Sequence, residues 1–226
     1  MLRNKSKKQP SMALLGNQFI FKELRRRIVE QDLPPGTPLR EQALAGEFQV
    51  SRARIRDTFG VLEERGLIER IPNRGAIVTR LEAQQIEELF EVREVLEAKA
   101  VRLATEKSPT RSWGDLINLF GDDMEQKIQD YNLDAYENAI YVFRQRCFIS
   151  ADNQLLNDLL NSLYDRTRVL IRRLILVPGR AETGMHQHRK ILAAMQSGKA
   201  EKAERLKRQN IESARAWFFE YRKYLM

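Results

Sequence analysis

The sequence predicts a mainly α protein in two parts: an N-terminal winged helix-turn-helix of three helices and a β-hairpin wing, then an all-α antiparallel helical bundle. Three observations carry that prediction. Apolar positions up to Thr79 recur in the order helix, helix, short turn, helix, hairpin. Beyond Thr79 the period is helical throughout, with no strand pattern. Positive charge is also divided unequally: residues 1–80 hold 16 Lys/Arg and 9 Asp/Glu, while residues 81–226 hold 23 and 22. These shifts put a basic flexible tail at 1–13, the winged helix at 14–80 and the bundle at 81–226.

The first helix is expected over residues 14–31, on Leu15, Phe19, Leu24 and Ile28, and it ends at Pro34-Pro35-Gly36 and Pro38. A short second helix carries Leu44, Ala45 and Phe48. Ser51 is a good N-cap for the third, in which Ile55, Phe59 and Leu62 are spaced four and three apart and form one buried stripe. Arg52, Arg54 and Arg56 lie off that stripe, within the first turn and a half. Residues 67–71 and 76–79 read as strands around the turn Pro72-Asn73-Arg74-Gly75.

Composition removes several function classes. The chain of 226 residues carries a formal charge of +8 and a single cysteine. One cysteine excludes a disulfide framework and fits a reducing cytoplasm. With only two histidines, little is left for a zinc site of Cys and His alone. No apolar run approaches the roughly 20 residues that span a bilayer. Residues 12–21 do not form an export signal, because Gly16, Asn17 and Gln18 interrupt them. The chain is therefore expected to be cytoplasmic, with no membrane partner.

The basic first part suits a polyanion. A third helix of this kind fits the major groove, where arginine pairs bidentately with guanine or phosphate. Arg74 at the hairpin tip, beside Gly75, is placed to reach the minor groove or a phosphate.

The same residues carry a resemblance. Pro35-Gly36-Thr37-Pro38-Leu39-Arg40-Glu41, Leu44-Ala45, Val50-Ser51-Arg52, Arg56, Leu62, Gly66-Leu67 and Pro72-Asn73-Arg74-Gly75 resemble the DNA-binding domain of the GntR family of bacterial transcription regulators. The resemblance covers residues 17–80 and implies DNA contacts from Ser51, Arg52, Arg56, Arg74 and Gly75, and from Arg40 or Gln42. Arg54-Ile55 stands where many members have Pro-Val, and Asp57-Thr58-Phe59 where Glu-Ala-Leu is usual, so the operator sequence does not carry over.

In the second part, Ile86, Leu89, Phe90, Arg93, Leu96, Ala100 and Leu103 mark a long amphipathic helix ending near Lys107-Ser108-Pro109. Further helices are expected over 111–130, 134–151, 154–176, 181–197 and 200–223. Val92-Arg93 with Glu97, Phe143 followed by Asn153, and His188-Arg189-Lys190-Ile191-Leu192 with Gly198 resemble the FCD branch of the GntR family, which adds an all-helical effector domain. Many members of that branch hold a divalent metal by an Asp and three His. The resemblance puts Ile140, Arg144, His188 and Asn210 at those four positions. Isoleucine has no donor atom and arginine stays protonated. His186 and His188, two apart on a helix, share no face. The chain is therefore expected to have no metal of the family type and no cofactor.

Arg144 leaves two readings open. In one, Arg144 with His188, Asn210 and Arg93 lines a pocket for an anionic organic acid or acyl compound. In the other it forms an internal salt bridge with Glu97 or Glu137 and no ligand binds. Cys147 is expected to be a small buried residue, and Trp113 and Trp217 core or interface residues. Arg166, Arg168, Arg172 and Arg173 are either a solvated face or a dimer contact. The function expected is a ligand-responsive transcription regulator and repressor, binding a pseudo-palindromic operator as a homodimer. The alternatives are an effector-independent nucleoid-associated protein and an enzyme. For the enzyme, no nucleophile–base set, phosphate loop or Glu-x-x-His pair is present, and no catalytic residue is assigned.

Overall fold

The computed structural model describes residues 12–72 and 75–225, with side chains from residue 18 onward. The tail lysines Lys5, Lys7 and Lys8, the side chain of Leu15 and the hairpin tip at Asn73 and Arg74 lie outside the described residues. The chain divides into two compact units, Met1–Arg80 and Leu81–Met226.

In the first unit, helix α1 (Met12–Val29) buries Ile20, Leu24 and Ile28. Phe19 was expected on that stripe, but it is 64% exposed and stands edge-on to Phe48 at 6.4 Å. Positions 19 and 20 both keep roughly helical spacing to Leu24, and the packing against the third helix selects Ile20. After the turn at Gly36, strand β1 (Pro38–Leu39) leads into α2 (Glu41–Glu47), which buries Leu44 and Ala45. Helix α3 (Arg52–Glu64) starts at Ser51, whose Oγ accepts the Arg54 N–H at 3.3 Å. Its inner face is Ile55, Phe59 and Leu62, as the spacing requires, with Thr58 beside them. Strands β2 (Ile68–Ile71) and β3 (Gly75–Val78) pair antiparallel, with Ile68 opposite Val78 and Ile71 opposite Gly75.

The wing is three-stranded rather than a simple hairpin. Strand β1 pairs antiparallel with β3, so the order is β1-β3-β2. A two-residue strand beginning with proline has no period to read, and only its partner across the sheet defines it. Gly75 is placed by this pairing: its φ is +92°, and a Cβ there would lie 2.6 Å from the Leu39 carbonyl oxygen.

The second unit is helical throughout its described residues. Helix α4 (Ala83–Lys107) opens with a capping box between Glu82 and Gln85 and ends at Ser108 before Pro109. The single helix expected over 111–130 is instead a 3₁₀ turn (Thr110–Trp113), α5 (Gly114–Leu119) and α6 (Asp122–Gln129). Gly121 in extended conformation heads α6 and makes that break. Phe120 and Trp113 are driven fully into the core there. Helices α7 (Leu133–Ala151) and α8 (Gln154–Ile175) are capped by Asn132 and Asn153, whose side chains accept from Ala135 N at 3.3 Å and Leu156 N at 3.0 Å. Left-handed Gly179 separates α8 from α9 (Arg180–Gln196), and α10 (Ala200–Leu225) lies along α4 and α9. Cys147 is buried, and burial pushes its thiol up to about 12, so it behaves as a small apolar residue. Trp113 is core, whereas Trp217 is partly buried and stacks on Tyr221.

Candidate nucleic-acid interface and buried cationic cavity

In the first unit the start of α2, the start of α3 and the β2 end of the wing surround an open concavity of about 750 Å³. Arg40, Gln42, Arg52, Arg56 and Gly75, all marked by the sequence, line it. Ser51 and Arg54 do not: Ser51 spends its hydroxyl on the helix cap, and Arg54 is half-buried and not among the lining residues. Arg74 lies outside the described residues.

Two residues the sequence reading passed over belong here. Glu41 stands among the arginines, with Arg52 Nη2 at 3.3 Å and Arg56 Nε at 3.4 Å. Arg70 of β2 donates from Nη2 to the Arg56 carbonyl at 2.8 Å and pairs with Glu63 at 3.1 Å. Arg40, Arg52, Arg56 and Arg70 thus face Glu41 as the one carboxylate lining the concavity. Such a surface can hold a polyanion, and the exposed arginines at the N-terminus of α3 can reach into a groove.

In the second unit Ile140, Arg144, His188 and Asn210, from three helices, line one cavity of about 40 Å³ together with Arg93. Arg144 is paired with Glu97 and not with Glu137: its Nη2 lies 3.3 Å from Glu97 Oε1. Glu137 instead takes Arg168 at 2.7 Å and also Arg172. Glu97 is 1% exposed and gathers Arg93 Nε at 2.9 Å and Lys207 Nζ at 3.0 Å as well. Burial alone would raise the Glu97 carboxyl. Arg144, Lys207 and Arg93 outweigh it and hold that carboxyl well below the usual carboxylate range.

Lys207 and Arg180 are the residues that sequence reasoning missed. Both are buried, and both line the cavity. Burial lowers the pKa of Arg144, Lys207 and Arg180, against the opposing pull of Glu97 on the first two. Four cationic side chains therefore line the cavity with one carboxylate, which pairs with Arg93, Arg144 and Lys207 but not with Arg180. Aromatic faces soften this without neutralising it: the Arg144 guanidinium lies 5.2 Å from the Tyr164 ring centroid and Lys207 Nζ 5.7 Å from that of Phe143. Arg93 Nη1, Arg144 Nε and Nη2, Arg180 Nη1 and His188 Nε2 have no hydrogen-bond partner among the described residues.

His188 is stacked on Phe120 at 5.0 Å and edge-on to Phe143 at 5.1 Å. Its Nδ1 donates to the Gly184 carbonyl at 2.8 Å. Burial, with Lys207 nearby, lowers its pKa to about 3, so the ring is neutral and Nε2 carries a lone pair. Asn210 is engaged at both polar atoms: Oδ1 accepts from Lys207 at 3.3 Å and Nδ2 donates to Gln187 at 2.8 Å.

Comparison with known proteins adds to this geometry. The family model for bacterial regulatory proteins, gntR family, matches residues 17–78, and the FCD domain model matches residues 88–213. The HTH-type transcriptional repressor RspR of Escherichia coli (strain K12) is 31% identical over 200 residues, covering 87% of this chain and 86% of its own. The HTH-type transcriptional regulator YdhC of Bacillus subtilis (strain 168) is 28% identical over 81% of this chain and 82% of its own. Among solved structures, E. coli McbR/YncC superposes with a TM-score of 0.75 at 19% identity, over 91% of this chain and 98% of that one. At that identity the likeness is one of fold.

Proposed function

This chain belongs to the GntR family of bacterial regulatory proteins, carries the FCD domain and is a DNA-binding transcription regulator; from that premise we propose that it is a cytoplasmic repressor whose grip on its operator is set by a small anion in the bundle cavity. DNA is held by Arg40, Gln42, Arg52 and Arg56, with Arg74 and Gly75 from the wing and Arg54 and Ser51 at the edge of the contact. A homodimer presents two such surfaces to operator half-sites related by its two-fold axis. Effector binding changes the spacing of the two surfaces, with a coupling of about 1–3 kcal/mol.

The observation that carries the effector half is the charge of the cavity. Four buried cations against Glu97 leave an excess that a bound anion would neutralise, with unpartnered donors to receive it. A divalent metal does not fit the same residues. Ile140 offers no donor, Arg144 is a fixed cation, and Asn210 is already hydrogen-bonded through both of its polar atoms. A cavity of about 40 Å³ also favours a small acid over an acyl chain.

Footprinting on the chain's own upstream region, with a shuffled-sequence control, tests the DNA half. Protection of a two-fold-related site that the control lacks is expected, and equal protection of both would leave a general nucleoid protein. R144A should keep the footprint and lose its response to added anions. An R144A protein with a normal response would remove the effector site.

A further inference from the structure

The polar groups of the cavity ask for more than negative charge. The four cations leave a surplus of three over Glu97, and of two even with the Lys207 ammonium discharged. A monoanion leaves part of that surplus buried, which is the costly outcome in a low-dielectric site. The surplus comes with unpartnered N–H donors on Arg93, Arg144 and Arg180, so the occupant must present several acceptor oxygens.

His188 adds a demand of the opposite kind. Because Nδ1 donates to the Gly184 carbonyl, the neutral ring of cavity-lining His188 keeps Nε2 as an acceptor, and no described residue satisfies it. The cations around it bring donors, but none of them bonds to Nε2. An occupant made only of carboxylate oxygens would set lone pair against lone pair. A hydroxyl on the occupant removes that conflict.

Size sets the last limit. One water needs roughly 10–15 Å³ of such space, and the cavity offers about 40 Å³. That admits a compact molecule of several heavy atoms.

We infer that the cavity takes a compact dianion carrying one hydroxyl, either a short 2-hydroxy dicarboxylate or hydrogen phosphate, with its anionic oxygens on Arg93, Arg144 and Arg180 and its hydroxyl donating to His188 Nε2. This rests on the anion-responsive reading given above and narrows it to a ligand class.

The test is calorimetric titration of the full chain in an anion-poor, mildly alkaline buffer with five probes. Hydroxymalonate and malonate form one pair, and hydrogen phosphate and methylphosphonate a second. Within each pair both members are dianions and only the first carries the hydroxyl. Glycolate is the monoanion with a hydroxyl. In at least one pair, the hydroxyl-bearing member should bind about tenfold tighter than its partner and about tenfold tighter than glycolate. The pair that responds identifies the source, organic acid or phosphate. H188F keeps the ring stacking on Phe120 and should abolish the difference within the pair. R180Q should shrink the preference over glycolate. If H188F does not fold, the five titrations on the unmodified chain still decide. Glycolate binding as tightly as the dianions, or a hydroxyl-free partner binding equally well, overturns this inference and leaves the anion reading standing. No binding by any probe overturns both.

Discussion

Replacing Glu97 by glutamine tests the electrostatics of the bundle most directly. The substitution keeps shape and volume and removes only the charge. Glu97 is 1% exposed, with Arg93 Nε at 2.9 Å, Lys207 Nζ at 3.0 Å and Arg144 Nη2 at 3.3 Å. Removing one partner of a buried pair costs about 3–5 kcal/mol, because the other charge is left uncompensated. Here three charges lose the same partner, so E97Q should sit at the upper end of that range. At about 2–4 °C per kcal/mol for a domain of this size, a loss of about 5 kcal/mol should lower Tm by about 10–20 °C. Differential scanning calorimetry at neutral pH reads this. The pH dependence gives a second check. The folded carboxyl is depressed below its ordinary value of 4.5, so its stabilisation is complete above that value and is lost as pH falls toward the folded one. E97Q lacks that contribution, and the gap between the two proteins should close on acidification. Anion binding should move the other way and tighten, since the cavity then holds four cations and no fixed anion. A Tm for E97Q within about 2 °C of the unmodified chain at neutral pH would refute the role given to Glu97.

Three further outcomes follow from the geometry. E41Q frees Arg52 and Arg56 from the carboxylate that holds both, so affinity for shuffled DNA should rise several-fold and the salt slope steepen by about one counterion; an unchanged slope in fluorescence anisotropy would show that Glu41 does not restrain them. G75A must accommodate φ +92° and a Cβ that would lie 2.6 Å from the Leu39 carbonyl oxygen, so it should destabilise the winged-helix transition by about 1–3 kcal/mol in urea while leaving the bundle transition in place. G184A would push its methyl against the Tyr136 hydroxyl and within 2.9 Å of Arg180 Nη1, so both cavity-lining side chains must shift; anion binding should weaken about tenfold or more by calorimetry, with operator binding unaffected.

What could be read from the sequence is what depends on local chemistry. Ser51 with Ile55, Phe59 and Leu62 reads as a capped amphipathic helix because cap and stripe are both set within one segment. Asn132 and Asn153 cap α7 and α8 through side chains in the same short segments. What was misread depends on partners distant in the chain. Strand β1 exists through β3, and Ile20 rather than Phe19 turns inward because α3 packs there. Lys207 belongs to a charged run of α10 that reads as a solvated face, and only Glu97 across on α4 makes it a buried ion. Arg180, just after the Pro178-Gly179 turn, reads as an exposed first turn. The Arg144–Glu97 pair was legible as one of two candidates, and distance alone separates it from Glu137.

The two readings left open for Arg144 are therefore not exclusive. Its pairing with Glu97 is structural, yet that carboxylate is already shared with Arg93 and Lys207, so the pairing does not cancel the charge. The four positions at which many FCD members hold a metal make the same point by charge count. An aspartate, three neutral histidines and a divalent ion sum to one positive charge. Ile140, Arg144, neutral His188 and Asn210 also sum to one positive charge, without an ion. The guanidinium thus supplies the field that metal and aspartate would supply together, and it does so with fixed N–H donors in place of open coordination positions. A metal can accept neutral donors such as water or a carbonyl; a buried guanidinium can donate to neutral acceptors too, but only an anion offsets the charge that the shared Glu97 carboxylate leaves uncompensated. On the effector reading proposed above, these four residues would hold an anion by fixed charge and N–H donors rather than through a metal, while the charge at the four positions stays the same.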